Sequence, residues 1–293
     1  MASRQGDHPT FALGRRPLSA PAPSGFWQPS FADVDGLRLC YRAAGAGEPV
    51  LLLHGFRGSG RYWLSTAQEL AKTHMVVAPD LKGFGESAKP RSGYSLADHA
   101  KVIHQFLTTI GLQPAAIVGH SLGGVIALRL VSDFPDLVRR LVLVTTPFTG
   151  TVQQNLGELA RAPLWMRLLA QRPHTARWVV GWPSKTLIRL GSDTRDLTKE
   201  AIQDAVKFCW ASLRETFDSC IVRENMRLRL QRADVPALLM YGDADDLIDP
   251  RHGRDLLALF HPAELLVVPG AGHQLPTTHP RPFLNALGQF LRE

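Results

Sequence analysis

Ala115-Ala116-Ile117-Val118-Gly119-His120-Ser121-Leu122-Gly123-Gly124-Val125-Ile126-Ala127-Leu128-Arg129-Leu130 reads as a buried strand, a glycine-boxed serine and the opening of a helix. That order makes a strained turn that lifts one hydroxyl clear of the backbone as a nucleophile. Side chains at the flanking glycines would collide across so tight a bend, and the serine itself must occupy a sparsely populated backbone region. The strand before and the helix after carry the signal, because the bare pentapeptide is weak by itself.

A serine hydroxyl is a poor nucleophile at neutral pH and needs a histidine as base, with a carboxylate to orient it. In this architecture the chain order is serine, then acid, then histidine. Toward the C-terminus, Pro236-Ala237-Leu238-Leu239-Met240-Tyr241 reads as a buried parallel strand that runs into Gly242-Asp243-Ala244-Asp245-Asp246-Leu247-Ile248-Asp249-Pro250. Leu265-Leu266-Val267-Val268 is the next strand and runs into Pro269-Gly270-Ala271-Gly272-His273. Toward the N-terminus, Val50-Leu51-Leu52-Leu53 leads to His54-Gly55-Phe56, and Met75-Val76-Val77-Ala78 leads to Asp80-Leu81-Lys82-Gly83-Phe84-Gly85-Glu86-Ser87.

Taken in order, these five motifs resemble the α/β-hydrolase superfamily from about Gly36 to the C-terminus, interrupted by a middle segment, and in particular its lid-bearing branch of serine esterases, C–C hydrolases, epoxide hydrolases and haloperoxidase-like enzymes. The resemblance implies an α/β fold with a mostly parallel eight-stranded sheet, helices on both faces and a helical lid insertion. It implies Ser121 as nucleophile and His273 as base. The family's Gly-x-x-Asp loop selects Asp245 as the acid, with Asp246 the alternative. By position the oxyanion donors are the backbone amides of Phe56 and Leu122, the latter at a helix start where donors and the dipole favour an anion. His54 is then structural. The acidic residue common before the family's last proline is replaced here by Thr278-His279-Pro280. Serine rather than aspartate at 121 implies an acyl-enzyme, which suits esters, thioesters, lactones and vinylogous diketones and disfavours halides and epoxides.

With 293 residues and 45% hydrophobic composition the chain can bury a large core. The expected division is a flexible tail over 1–25, a core over 26–146 and 235–293, and a helical lid over 147–234. Phe31-Ala32-Asp33-Val34 and Leu37-Arg38-Leu39-Cys40-Tyr41 flank Asp35-Gly36 and read as an edge hairpin, and the tail could also pack along the body through Phe26 and Trp27. Cys40, Cys209 and Cys220 have no paired spacing and read as free thiols in a reducing, cytoplasmic setting. No stretch approaches the roughly 20 apolar residues of a membrane span, and prolines follow Arg15-Arg16 where an export signal would be apolar. A net charge of +7 is spread among acids without a recognised module, so no nucleic acid is expected. His99 and His104 lack metal-ligand spacing and Gly83-x-Gly85 lacks a dinucleotide fingerprint, so neither a metal nor a cofactor is expected.

Between the strands near Val144 and Ala237 lies far more chain than an ordinary connection, with helical spacing broken by Pro163, Pro173 and Pro183. Between 150 and 231 basic residues outnumber acids by five, a surface mildly favourable to anionic substrates or an acidic carrier domain. Arg57, His120, Trp165 and Trp210 are read as substrate-facing. Met166, Trp178, Trp182 and Phe208 are further candidates for the pocket wall, and packing is the default for aromatic residues at such spacing, as it is for Trp63. The expected activity is cleavage of a small or medium carboxylic ester by a Ser-His-Asp triad, the partner being a small acyl substrate. C–C hydrolysis, perhydrolysis and thioester cleavage use the same triad, and a non-catalytic ligand receptor is the alternative from another class. Oligomeric state is not encoded legibly.

Overall fold

The computed structural model describes residues 26–148, 203–204, 207–230 and 233–293. The tail over 1–25 and most of the expected lid lie outside the described residues. The strands are β1 (Ser30–Val34), β2 (Leu37–Ala44), β3 (Glu48–Leu53), β4 (His74–Pro79), β5 (Ala115–His120), β6 (Val138–Val144), β7 (Ala237–Gly242) and β8 (Ala263–Val268). They form one sheet in the order β1-β2-β4-β3-β5-β6-β7-β8. β1 and β2 pair antiparallel and β2 is antiparallel to β4, and every pairing from β4 through β8 is parallel. The edge hairpin turns through Asp35 and Gly36, both at positive φ (52° and 75°), the conformation a two-residue turn of this hand requires.

The unbroken apolar runs of the central strands follow from burial on both faces. Side chains alternate across a strand, so Leu51, Leu53, Val77, Ile117, Leu141, Leu143 and Leu239 enter one core. Their neighbours Val50, Leu52, Val76, Val118, Val142, Val144 and Met240 enter the other. The first core is covered by α2 (Leu96–Ile110) and α3 (Leu122–Asp133), and the second by α1 (Leu64–Leu70) and the C-terminal helix (Pro280–Arg292). Helix α2 begins with a reciprocal cap between Ser95 and Asp98 and stops at Gly111, whose φ of 67° a side chain would resist. Trp63 is packing, as expected: it is fully buried beside Phe283. Trp27 packs on the body too, its indole N–H donating to the Gly60 carbonyl at 3.2 Å.

All parallel strands end at one rim, where a buried carboxylate joins the loops after β3 and β4. Asp80 Oδ1 accepts from Arg42 Nη1 at 2.9 Å and from the Gly60 amide at 2.7 Å, and Oδ2 accepts from the Glu86 amide at 2.8 Å. A Cβ on Gly85 would lie 2.2 Å from Asp80 Oδ2, so the loop can wrap the carboxylate only with glycine there. Both ions are almost wholly enclosed. Removing one member leaves the other charge buried and uncompensated. Asp80→Ala is expected to cost about 3–5 kcal/mol of unfolding free energy, measured by urea denaturation, and a cost below about 1 kcal/mol would show that water replaces the carboxylate.

Candidate active site

Ser121 follows β5 directly and caps α3 with φ 52° and ψ −114°, outside the regions an L-residue prefers. Three glycines make that turn possible. A Cβ at Gly119 would stand 2.5 Å from the Gly123 carbonyl oxygen, one at Gly123 would stand 2.2 Å from the Leu53 carbonyl oxygen, and one at Gly124 would strike Thr146. The turn is held by its own backbone: the Ser121 amide donates to Val144 O at 2.9 Å, and Ser121 O accepts from Gly124 and Val125.

Beside the serine, β3 pairs with β5 so that Leu53 lies opposite Gly119. The loop after β3 therefore runs past the turn, and a Cβ on Gly55 would come within 3.4 Å of Ser121 Cβ. Among the described residues the amides of Phe56 and Leu122 have no hydrogen-bond acceptor. His54 is structural, as expected from its position. Its Nε2 accepts from the Leu81 amide at 2.9 Å, and Nδ1 therefore carries the proton donated to Gly55 O at 2.8 Å. One neutral ring thus joins the loops after β3 and β4.

On the other side, β7 and β8 supply the acid and the histidine. The Asp245 carboxylate is buried and accepts the Leu247 and Ile248 amides, both at 2.9 Å, while its second oxygen lies 3.0 Å from His273 Nδ1. Asp246 is exposed, so of the two candidate acids Asp245 faces the histidine. With Nδ1 donating to a carboxylate, Nε2 of His273 keeps its lone pair and can act as a base. Among the described residues Ser121 Oγ forms no hydrogen bond, and the bond between nucleophile and base often tightens only when substrate is bound.

The remaining predicted residues are distributed differently. His120 was expected to face a substrate. Instead it is 3% exposed, stacks on Tyr62 at 5.0 Å and donates from Nε2 to His273 O at 2.9 Å, because its position at the end of a central strand turns the ring into the body. Arg57 lies at φ 63° with its guanidinium 5.3 Å from the Phe208 ring, and burial pushes its pKa down to about 10. Trp210 opens a short helix, α4 (Trp210–Thr216), and is half-buried. Trp165, Met166, Trp178 and Trp182 lie outside the described residues. Cys40 and Cys220 are buried free thiols and Cys209 is half-buried. No described helix is long and apolar enough to cross a membrane.

Thr145 was missed in the sequence. It follows β6 at φ 44° and donates from Oγ1 to His273 O at 3.2 Å. Thr145-Thr146 after the apolar run Leu141-Val142-Leu143-Val144 marks a strand end and carries no sign of a partner 128 positions on. Asp204 was also missed: this buried carboxylate accepts from Ser59 Oγ at 2.6 Å and pairs with Lys207 at 2.9 Å and Arg61 at 3.4 Å. It fixes the returning end of the insertion to the loop after β3. At the entering end, the Phe148 amide donates to His252 Nδ1 at 3.3 Å. A groove of about 810 Å³ between Pro114, Val138, Arg139 and Arg229 opens at the opposite end of the strands, away from these groups.

A family model described as alpha/beta hydrolase fold matches residues 48–182. An uncharacterized protein of Mycobacterium tuberculosis is 29% identical over 277 residues, covering 89% of this chain and 80% of its own length. An sn-1-specific diacylglycerol lipase of Mus musculus is 26% identical over 251 residues, covering 83% and 80% respectively. Among solved structures, a bromoperoxidase from Bacillus anthracis superposes with a TM-score of 0.76 at 22% identity, covering 91% of this chain and 100% of that one.

Among the described residues burial holds five imidazoles below their ordinary pKa, those of His54, His74, His99, His120 and His252. His54 is pushed down by desolvation, and His99 and His120 are pushed down to about 3 by desolvation first, with Lys82 and His273 respectively adding to the shift. An unfolded imidazole takes up a proton near pH 6.5, which the folded rings refuse, so the unfolded state binds more protons as the pH falls. Stability is therefore complete above about pH 6.5 and is lost progressively from there toward about pH 3, by up to about 1.4 kcal/mol per pH unit for each ring. Urea midpoints measured between about pH 7.5 and pH 5 should fall, and should fall less steeply in His99→Gln. A slope unchanged by that substitution would remove His99 from the account.

Proposed function

We propose that this chain, which has the alpha/beta hydrolase fold, is a serine hydrolase cleaving a carboxylic ester of small or medium size through an acyl-enzyme. One observation carries the reading. A serine in a strained turn at a helix start shares one sheet rim with His273, which is paired to the enclosed Asp245 carboxylate and keeps its other ring nitrogen available as base. The kinship with a diacylglycerol lipase is in keeping with ester chemistry.

In the proposed cycle Ser121 Oγ attacks the acyl carbon while His273 Nε2 takes its proton. The Phe56 and Leu122 amides receive the charge developing on the carbonyl oxygen, an effect of about 10²–10³ per donor in rate. Asp245 keeps His273 in the tautomer that presents Nε2 and stabilises the imidazolium. The alcohol leaves with the proton held by His273. A water, deprotonated by the same nitrogen, then attacks the acyl-enzyme, releasing the acid and regenerating the serine. The insertion over 147–234 acts in this reading as a lid that excludes water and lines the acyl pocket. Arg57, desolvated beside the oxyanion loop, would face an anionic substrate group.

Turnover of p-nitrophenyl butyrate should fall about 10³-fold or more in Ser121→Ala, and about 10²–10⁴-fold in Asp245→Asn, which offers His273 the wrong hydrogen-bond partner. A fluorophosphonate should add its mass to the peptide bearing Ser121. Unchanged turnover in Ser121→Ala would remove the serine from the mechanism. A receptor would bind ligands without turnover in the parent protein. A panel of esters of graded acyl length run against a ring-cleavage diketone separates ester from C–C hydrolysis.

A further inference from the structure

His273 stands on the loop after β8, whereas Ser121 closes β5, and the sheet order places β6 and β7 between them. Strands lie about 4.8 Å apart, so the loop must carry the imidazole back over three spacings, roughly 14 Å. Its first backbone attachments reach only the neighbouring loop after β7: the Gly270 amide donates to Asp243 Oδ1 at 2.6 Å, and Ala271 O accepts from the Ala244 amide at 3.0 Å. The bond from the His273 ring to Asp245 reaches the same loop. Farther across, the attachment is the His273 carbonyl, which accepts from Thr145 Oγ1 at the end of β6 and from His120 Nε2 at the end of β5.

We propose that His120 is a positioning residue for His273: with Thr145 it grips the His273 carbonyl, so that the imidazole is held at the end of the strand that carries Ser121. The inference rests on the reading of His273 as the base for Ser121 and assigns His120 its part in that site. A carbonyl can only accept, so the proton of His120 is on Nε2 and its Nδ1 holds a lone pair. Among the described residues that Nδ1 has no hydrogen-bond partner, and it faces Gly55, where a Cβ would lie 2.8 Å away. Tyr62, stacked at an interplanar angle of 20°, fixes the plane of the ring. Burial keeps His120 neutral over the working range, which matters because the two imidazoles are 5.0 Å apart and His273 must become an imidazolium in each cycle. A neutral donor holds the loop without opposing that charge.

Three variants test the grip. His120→Phe keeps a ring and loses the donor, His120→Gln places an amide N–H near the former Nε2, and Thr145→Val removes the second donor. With p-nitrophenyl butyrate, His120→Phe should lower kcat about 10–100-fold, the size of a displacement of about 1 Å, with KM within about twofold. His120→Gln should recover most of that loss, and Thr145→Val should lose about threefold, as the longer of the two bonds. A second readout needs no substrate. The downfield NMR resonance of the His273 Nδ1 proton should shift or broaden in His120→Phe and return in His120→Gln, with circular dichroism verifying the fold. Wild-type kcat with an unmoved resonance in His120→Phe overturns the proposal, as does equal damage in the phenylalanine and glutamine variants, which marks a packing role. If the parent protein turns over no ester while the resonance still moves and returns, the positioning role stands and the ester reading falls.

Discussion

A serine held at φ 52° and ψ −114° is the constraint around which the rim of the sheet is arranged. Such a backbone conformation costs of order 1–3 kcal/mol and persists only where its surroundings over-determine it. Here they do so from three sides. The Ser121 amide is tied to β6 through Val144, Gly123 presses on the end of β3 at Leu53, and Gly124 closes against Thr146. Any side chain at these glycines would push apart strands that are themselves paired, so the cost of relaxing the turn is the cost of opening the sheet. The strain leaves the serine hydroxyl at the start of α3, beside amides that the helix cannot satisfy.

Two buried polar groups extend this bracing to the loops after β3 and β4. Asp80 ties Gly60, Glu86 and Arg42 to one carboxylate, and His54 joins the Gly55 carbonyl to the Leu81 amide. Burying an ion pair gives little net stability, because desolvation offsets most of the attraction. Its effect here is geometric: the loop bearing Phe56 cannot shift without breaking the charge-assisted bond from Gly60 to Asp80 and the bonds of the neutral His54 ring together.

The fold was legible because two-sided burial leaves unbroken apolar runs at every central strand, and the Asp35-Gly36 turn marks the edge hairpin. Ser121 was legible for a related reason: its conformation forces glycine on neighbours that the sequence displays. Asp245 emerged over Asp246 from a loop pattern, and the structure gives the physical reason, since adjacent residues in the loop point in different directions and one alone faces His273. The parts of His120 and Thr145 were not legible, because they depend on which distant loop passes above the strand ends. Asp204 was hidden for the same reason. Its partner Ser59 is 145 positions away, and nothing local distinguishes that carboxylate from a solvated one.

The insertion leaves the core beside Phe148, held by His252, and rejoins it at Asp204, held by Ser59, Arg61 and Lys207. Both posts are anchored to segments that connect the strands, the helix after β7 and the turn after β3. Every group assigned to the chemistry springs from strand ends outside the chain between those posts. Divergence can therefore rewrite that stretch wholesale while the groups gathered at the strand ends inherit unaltered coordinates.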